Sequence, residues 1–257
     1  MLNIIPNSVT IIAIPAFADN YIWLLHNGQN AVVVDPGDAT PVIKMLEELN
    51  LELTTILITH HHSDHVDGVA ELLEYKPARV YAPHYENFNF EHTKLVDGDE
   101  ITLPEIAQSF RVMWLPGHTL GQIAYVNDDY LLCGDTLFGA GCGRLFEGTP
   151  AQMLHSLQRL KLLNPSTKVF CAHEYTAKNI EFALSLEPNN EDLMRRQQLT
   201  QVLRTQNLPS LPSTIDLELK TNPFFRCHQA AIFYNSQAEN SDELSVFTAV
   251  RSLRNHY

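Results

Sequence analysis

The sequence is poor in positive charge: 17 Lys and Arg stand against 30 Asp and Glu in 257 residues, a formal net charge of −13. Binding to phosphate backbones needs a basic face, so the charge argues against a nucleic-acid partner, and an anionic substrate must be drawn in by a local cluster of cations. No Lys or Arg precedes Lys44, which argues against a secretory leader with a positively charged start and makes the cytosol the expected location. Long hydrophobic runs are missing too. The longest, around Val9 to Ala18, is interrupted by Pro15 and is far too short for a bilayer, so no membrane partner is expected. The four cysteines, Cys133, Cys142, Cys171 and Cys227, show no close pairing, and buried or free thiols are expected rather than disulfides. The coarse pattern carries no internal repeat. The glycine-rich run Gly139 to Arg144 lacks the Gly-Lys-Ser/Thr ending of a phosphate loop and reads as a pocket wall.

What is present is a dense set of metal donors. Thr59-His60-His61-His62-Ser63-Asp64-His65 follows directly on the β-branched run Thr54 to Ile58, which reads as a buried strand. In an extended loop, side chains two apart point the same way, so His60 and His62 can share one metal while His61 faces the opposite side. Asp64 and His65 follow as the chain turns towards a helix expected to begin near Val66, and aim at a different point. That is too many ligands for one tetrahedral ion with an open position, which suggests two metals. The competing reading is a solvated polar loop.

Strands are expected at Val9–Ala16, Tyr21–His26 and Ala31–Val34, an antiparallel start broken by Asp19-Asn20 and Asn27-Gly28. A helix over Thr40–Asn50, the donor strand, a helix over Val66–Tyr75 and a strand at Arg79–Ala82 imply helices laid on a sheet. The pattern weakens between Pro83 and Leu103, where His84 and His92 read as surface residues. Strands return at Phe110–Leu115, Gln122–Val126 and Tyr130–Cys133, and again at Lys168–Ala172 after a helix over Pro150–Leu163. His118 sits on a Pro-Gly turn after one of these strands, Asp135 directly after another, and His173 after the last. An unpaired carboxylate at Asp135 would be costly next to an apolar strand, so it needs a positive partner, a bridged metal pair or, more plainly, a helix start. Beyond His173 the chain turns helical: Tyr175–Leu186, Glu191–Gln206, an irregular stretch around Pro209, Pro212 and Pro223, and a last helix from Asn240 with Glu243 placed as in a capping box. The expected division is therefore 1–173, a mixed sheet domain, and 174–257, a smaller helical one. Arg251 and Arg254 share a face of the last helix, either as a binding pair or as a solvated basic end.

On Thr59 to Gly68, Pro116 to Thr119, Gly134 to Phe138, His173 to Thr176, Thr221 to Phe224 and Arg251 with Arg254, the chain resembles the glyoxalase II (hydroxyacylglutathione hydrolase) family of the metallo-β-lactamase superfamily over essentially its whole length. The resemblance implies an α/β fold, an αββα sandwich with a helical carboxyl-terminal domain. It implies a dinuclear site in which His60, His62 and His118 hold one metal and Asp64, His65 and His173 the other, bridged by Asp135 and a hydroxide. Zinc is the expected metal, with iron and manganese suited by the same donors. The glutathione part would be contacted by Arg144, Tyr175, Arg251 and Arg254. Relatives often have Lys in place of Arg254, which keeps the charge, and some have Tyr in place of Phe146, so a hydroxyl is missing there. The expected activity is hydrolysis of S-(2-hydroxyacyl)glutathione thioesters such as S-D-lactoylglutathione, a step of methylglyoxal detoxification, by a monomer. The alternatives on the same fold are hydrolysis of another thioester, a lactone, a lactam or a phosphodiester, or one-iron oxidation of glutathione persulfide. A metal-sensing or flavin-partnered binding module is the reading from another class.

Overall fold

The computed structural model describes residues 9–257, so residues 1–8 of the expected first domain lie outside the described residues. The first sheet begins as an antiparallel meander, β1 (Thr10–Ala16), β2 (Asn20–His26) and β3 (Asn30–Val34). It continues in parallel through α1 (Ala39–Glu48), β4 (Glu52–Leu57), α2 (Ser63–Val66), α3 (Val69–Tyr75), β5 (Arg79–Pro83) and β6 (Thr93–Leu95). The chain then builds a second sheet from β7 (Glu100–Leu103), β8 (Gln108–Trp114), β9 (Ile123–Val126) and β10 (Tyr130–Gly134), all antiparallel. A small hairpin, β11 (Leu137–Phe138) with β12 (Gly141–Cys142), precedes α4 (Pro150–Lys161). Strand β13 (Lys168–Cys171) joins the second sheet parallel to β10. The remainder is α5 (Thr176–Leu186), α6 (Glu191–Thr205), β14 (Ser213–Thr214) on the edge of the second sheet, α7 (Ile215–Thr221), α8 (Ala230–Ser236) and α9 (Glu243–Asn255). No described helix is long and apolar enough to cross a membrane.

Strands β2 and β3 are apolar at nearly every position because both faces are covered. Tyr21, Trp23, Leu25, Val32 and Val34 point into the core shared with the second sheet, among Val112, Tyr125 and Leu132. Their neighbours Ile22, Leu24, Ala31 and Val33 point the other way, against Val42 and Leu46 of α1 and Val69 and Leu72 of α3. Successive side chains of a strand alternate in direction, so a strand covered on both sides needs apolar residues throughout. On the second sheet, α4 buries Met153, Leu154, Leu157 and Leu160. Helix, sheet, sheet and helix layers follow, the expected αββα sandwich.

Several elements differ from expectation. Helix α2 starts at Ser63 rather than near Val66, so Asp64 and His65 stand in its first turn, and the segment to Tyr75 is two helices interrupted at Asp67-Gly68. A Cβ on Gly68 would lie 2.6 Å from both the Ala39 nitrogen and the Pro36 carbonyl oxygen, so only glycine allows the β3–α1 connection to pass there. The weak region after Pro83 holds two short strands. The stretch after Pro209 holds an edge strand and α7, whose cap Thr214 accepts from the Leu217 amide. Helix α9 is capped not at Asn240 but by Asp242, which accepts from the Ser245 amide, while Glu243 ties α9 to Gln158 and Lys161 of α4. His84 is exposed as expected, but His92 is half-buried, its Nδ1 on the Phe90 carbonyl. All four cysteines are free and buried.

Candidate metal centre and substrate cavity

Donors meet because the strands that carry them end at one edge. The two sheets are pinned together there by the Ile123 amide donating to the Thr59 carbonyl at 2.9 Å and the Tyr21 amide donating to the Ala172 carbonyl at 2.7 Å. Strand β10 ends at Gly134, whose φ of +48° is the left-handed region. A side chain at that position would be strained and would strike Thr59, so glycine provides the bend that aims Asp135 inward.

His60, His62 and His118 bring ring nitrogens within 4.8 Å of one another, and a carboxylate oxygen of Asp64 lies equally close to ring nitrogens of His65 and His173. In the first group the His60 and His118 Nε2 atoms lie 3.1 Å and 3.0 Å from His62 Nδ1. Asp135 stands between the groups. Its Oδ1 is 3.6 Å and 3.4 Å from the Nε2 atoms of His65 and His173, and its Oδ2 is 3.3 Å from His118 Nε2. A third trio, Asp35 with His60 and His65, also falls within ligand reach. Asp35 is already committed: its two oxygens accept from the Thr59 amide and the Thr59 hydroxyl, each at 2.7 Å.

The outer partners decide which ring nitrogens face inward. His118 Nδ1 lies 2.8 Å from the Arg144 carbonyl, which can only accept, so the proton is on Nδ1 and Nε2 presents a lone pair. His173 Nδ1 is 2.9 Å from Asp19, with the same consequence, and the Asp35 carboxylate attracts His65 Nδ1 across 3.1 Å, a charge contact outside hydrogen-bond geometry. The Thr59 hydroxyl gives its proton to Asp35 and therefore accepts from His60 Nδ1 at 3.0 Å. Asn20 donates to Asp64 at 2.9 Å. Carboxylates and carbonyls behind histidines are how metal ligands are usually held in orientation.

Charge follows the same division. Burial, with the surrounding histidines, pushes His60 well below the usual imidazole value and His62 down to about 4, and burial also lowers His118. Burial alone would lower His65 and His173 as well, but Asp135 and the carboxylates behind them outweigh it and raise both. Burial would raise Asp135, yet His173 and His65 hold it below the ordinary carboxylate range. Both ring nitrogens of buried His65 and Asp135 Oδ1 have no hydrogen-bond partner. Converging lone pairs with an orphaned buried carboxylate oxygen among them are what a pair of divalent cations would satisfy, and the donor set fits.

His61 turns away as expected, its nitrogens 3.3 Å from Glu86 and 3.4 Å from Glu147. Beside the donors opens a cavity of about 510 Å³ lined by Arg144, Tyr175, Arg251 and Arg254 among others. Tyr175 stacks on His173 at 4.8 Å between ring centroids. Arg251 is buried rather than solvated, donating to the Cys142 and Gly143 carbonyls, and Arg254 is held by Asn179 Oδ1 at 3.0 Å, so the solvated basic end is ruled out. Phe146, 61% exposed, packs edge-on against His62 and His118. Sequence reasoning missed Asp19 and Asn20, which it read as a turn, and Asp35, as well as Thr59 behind His60 and Asn179 behind Arg254. Asp19 and Asp35 each adjoin a strand end, which marks a turn as readily as a support for a ligand, so no local signal singled them out.

Residues 17–173 match the metallo-beta-lactamase superfamily and residues 174–257 match the hydroxyacylglutathione hydrolase C-terminus. Over 247 residues the chain is 55% identical to a hydroxyacylglutathione hydrolase of Methylobacillus flagellatus, covering 96% of this chain and 99% of that one. It is 44% identical over 253 residues to the enzyme of that name from Nitrosomonas eutropha, covering 97% and 99%. Among solved structures, the BLEG-1 B3 metallo-beta-lactamase superposes with a TM-score of 0.64 at 22% identity, covering 84% of this chain and 99% of that one, a likeness of fold. With this match along its length, the chain belongs to the hydroxyacylglutathione hydrolase family of metal-dependent hydrolases.

Proposed function

We propose that the chain hydrolyses S-(2-hydroxyacyl)glutathione thioesters, S-D-lactoylglutathione among them, to glutathione and a 2-hydroxy acid. The observation that carries this reading is the joining of two donor triads around Asp135 to a cavity walled by arginines. His60, His62 and His118 would hold one divalent cation and Asp64, His65 and His173 a second, and Asp135, which turns one oxygen towards His118 and the other towards His65 and His173, would serve both. Bound there, such cations supply an activated water near neutral pH and polarise a carbonyl. Zinc is the metal we assign, since imidazole and carboxylate donors suit it.

The chain's own residues do the rest. Asp19, Asp35, Thr59 and the Arg144 carbonyl stand behind His173, His65, His60 and His118 and favour a proton on the outward nitrogen of each, which leaves the inward nitrogen as the ligating one. Tyr175, stacked on His173, walls the boundary between donors and cavity. Arg144, Arg251 and Arg254 would receive the carboxylates of the glutathione part, a pairing that planar guanidinium groups favour. The leaving thiol has an ordinary pKa of about 8.5, so it departs as the thiolate and no general acid is demanded. A lactam nitrogen would need one.

We divide the chain into a catalytic domain, 1–173, and a glutathione-binding domain, 174–257. We read the working unit as one chain in the cytosol, because donors and cavity lining come from a single chain and the four buried cysteines are unpaired. The test is one preparation assayed on lactoylglutathione, a β-lactam and a phosphodiester. Turnover confined to the thioester is expected, and preference for either of the others would overturn the reading.

A further inference from the structure

Lys178 lines the same cavity as the arginines and has no place in the site described so far. It stands in the first turn of α5, three residues after Tyr175, and it is exposed. A cation is disfavoured there, because the unpaired amides of a helix N-terminus already carry partial positive charge, and α5 has no acidic residue in that turn to offset it. Among the described residues, Arg144, Lys178, Arg251 and Arg254 line this cavity and none of them forms an ion pair with a carboxylate. The chain nonetheless carries 30 acidic residues against 17 basic ones, so chance pairing would be easy. Arg251 is 6% exposed and its Nε has no partner. Arg254 lies below the usual guanidinium value, first through burial and then through the nearby Arg251 and Arg144, the mark of cations gathered with no anion between them. Asp135 is the one side-chain carboxylate of the lining among the described residues, and it faces the histidines.

We propose that Lys178 is a further substrate-binding residue, which pairs with one of the two carboxylates of the glutathione moiety and so makes the cavity select a doubly anionic thiol. The inference rests on the glutathione thioester reading above. The position suits such a role: an ammonium on a flexible, exposed stem can follow a carboxylate, while buried Arg251 and half-buried Arg254 hold their fixed partners. The helix N-terminus beneath it adds to the attraction for an anion.

The test is a cycle of enzyme and substrate changes. Wild type, Lys178→Ala and Lys178→Arg are assayed on lactoylglutathione and on two analogues, one with the glycine carboxylate and one with the γ-glutamyl α-carboxylate converted to the amide. Lys178→Ala should raise KM for lactoylglutathione about five- to tenfold, as expected for a partly exposed charge-assisted contact. It should change kcat less than KM and leave metal content as it was, and Lys178→Arg should restore most of the KM. For one of the two analogues, Lys178→Ala should make no further difference. An unchanged KM, or the same rise with all three substrates, would overturn the assignment. Failure of the wild type to hydrolyse lactoylglutathione would overturn the thioester reading instead, so the two failures can be told apart.

Discussion

Asp35 orients one histidine of each triad: His65 directly, and His60 through the Thr59 hydroxyl. In Asp35→Asn the amide must present an NH2 group either to the Thr59 amide or to the Thr59 hydroxyl and His65 Nδ1–H. Donor would then face donor, and the inward lone pairs would be lost. Metal affinity should fall about 10- to 100-fold, as for other changes behind metal ligands, with the fold kept by circular dichroism. An unaltered affinity in a chelator competition would remove Asp35 from this role. Glu86 poses a different residue-scale test. Burial raises its carboxyl above the ordinary value, although Thr119 and His61 pull the other way. A carboxyl raised on folding gives its full contribution below the unfolded pKa, and that contribution is lost as pH rises through the folded value. The isosteric Glu86→Gln escapes this loss. Its urea midpoint relative to wild type should therefore rise from the ordinary carboxylate range upward and then level off, whereas a constant difference across pH would contradict the assignment.

At the scale of elements, the carboxyl-terminal helices grip the glycine-rich loop that leads into Arg144. Glu218 of α7 accepts from the Ala140 amide, Asn222 donates to the Phe138 and Gly141 carbonyls, Asn179 of α5 donates to the Gly139 carbonyl, and Arg251 of α9 holds Cys142 and Gly143. Glu218 is fully buried with Arg196, the pair 2.7 Å apart. Removing one member of such a pair leaves a buried charge without its partner, so Glu218→Ala should cost about 3–5 kcal/mol in denaturant unfolding. A loss under about 1 kcal/mol would mean the pair is dispensable. The Thr221-to-Phe224 stretch was legible as a signature but not as a clamp, because its partners lie some 80 residues earlier in the chain. The same limit explains the rest of what sequence left unread. Donors at strand ends were visible because a β-branched run followed by histidines is a local pattern. Asp19 looked like a turn residue and Asp35 did not stand out, since a carboxylate that serves a distant histidine leaves no local trace. Strands β6 and β7 were invisible because each is too short for a period-two pattern.

Across the whole molecule, a chain with a net charge of −13 places four cations that form no ion pair at one cavity, with its metal donors next to it. The donors come from both sheets, His60 to His65 from the first and His118, Asp135 and His173 from the second, so bound cations would also cross-link the layers. Metal removal should then lower the melting temperature, since a ligand bound only by the folded state stabilises it. The pairing of two triads through Asp135 is tested most directly by titrating the metal-free protein with zinc while following both bound metal and thioester hydrolysis. Close to two ions per chain, with activity completed only as the second binds, is the expected result. Full activity at a single tightly bound ion would contradict the dinuclear account.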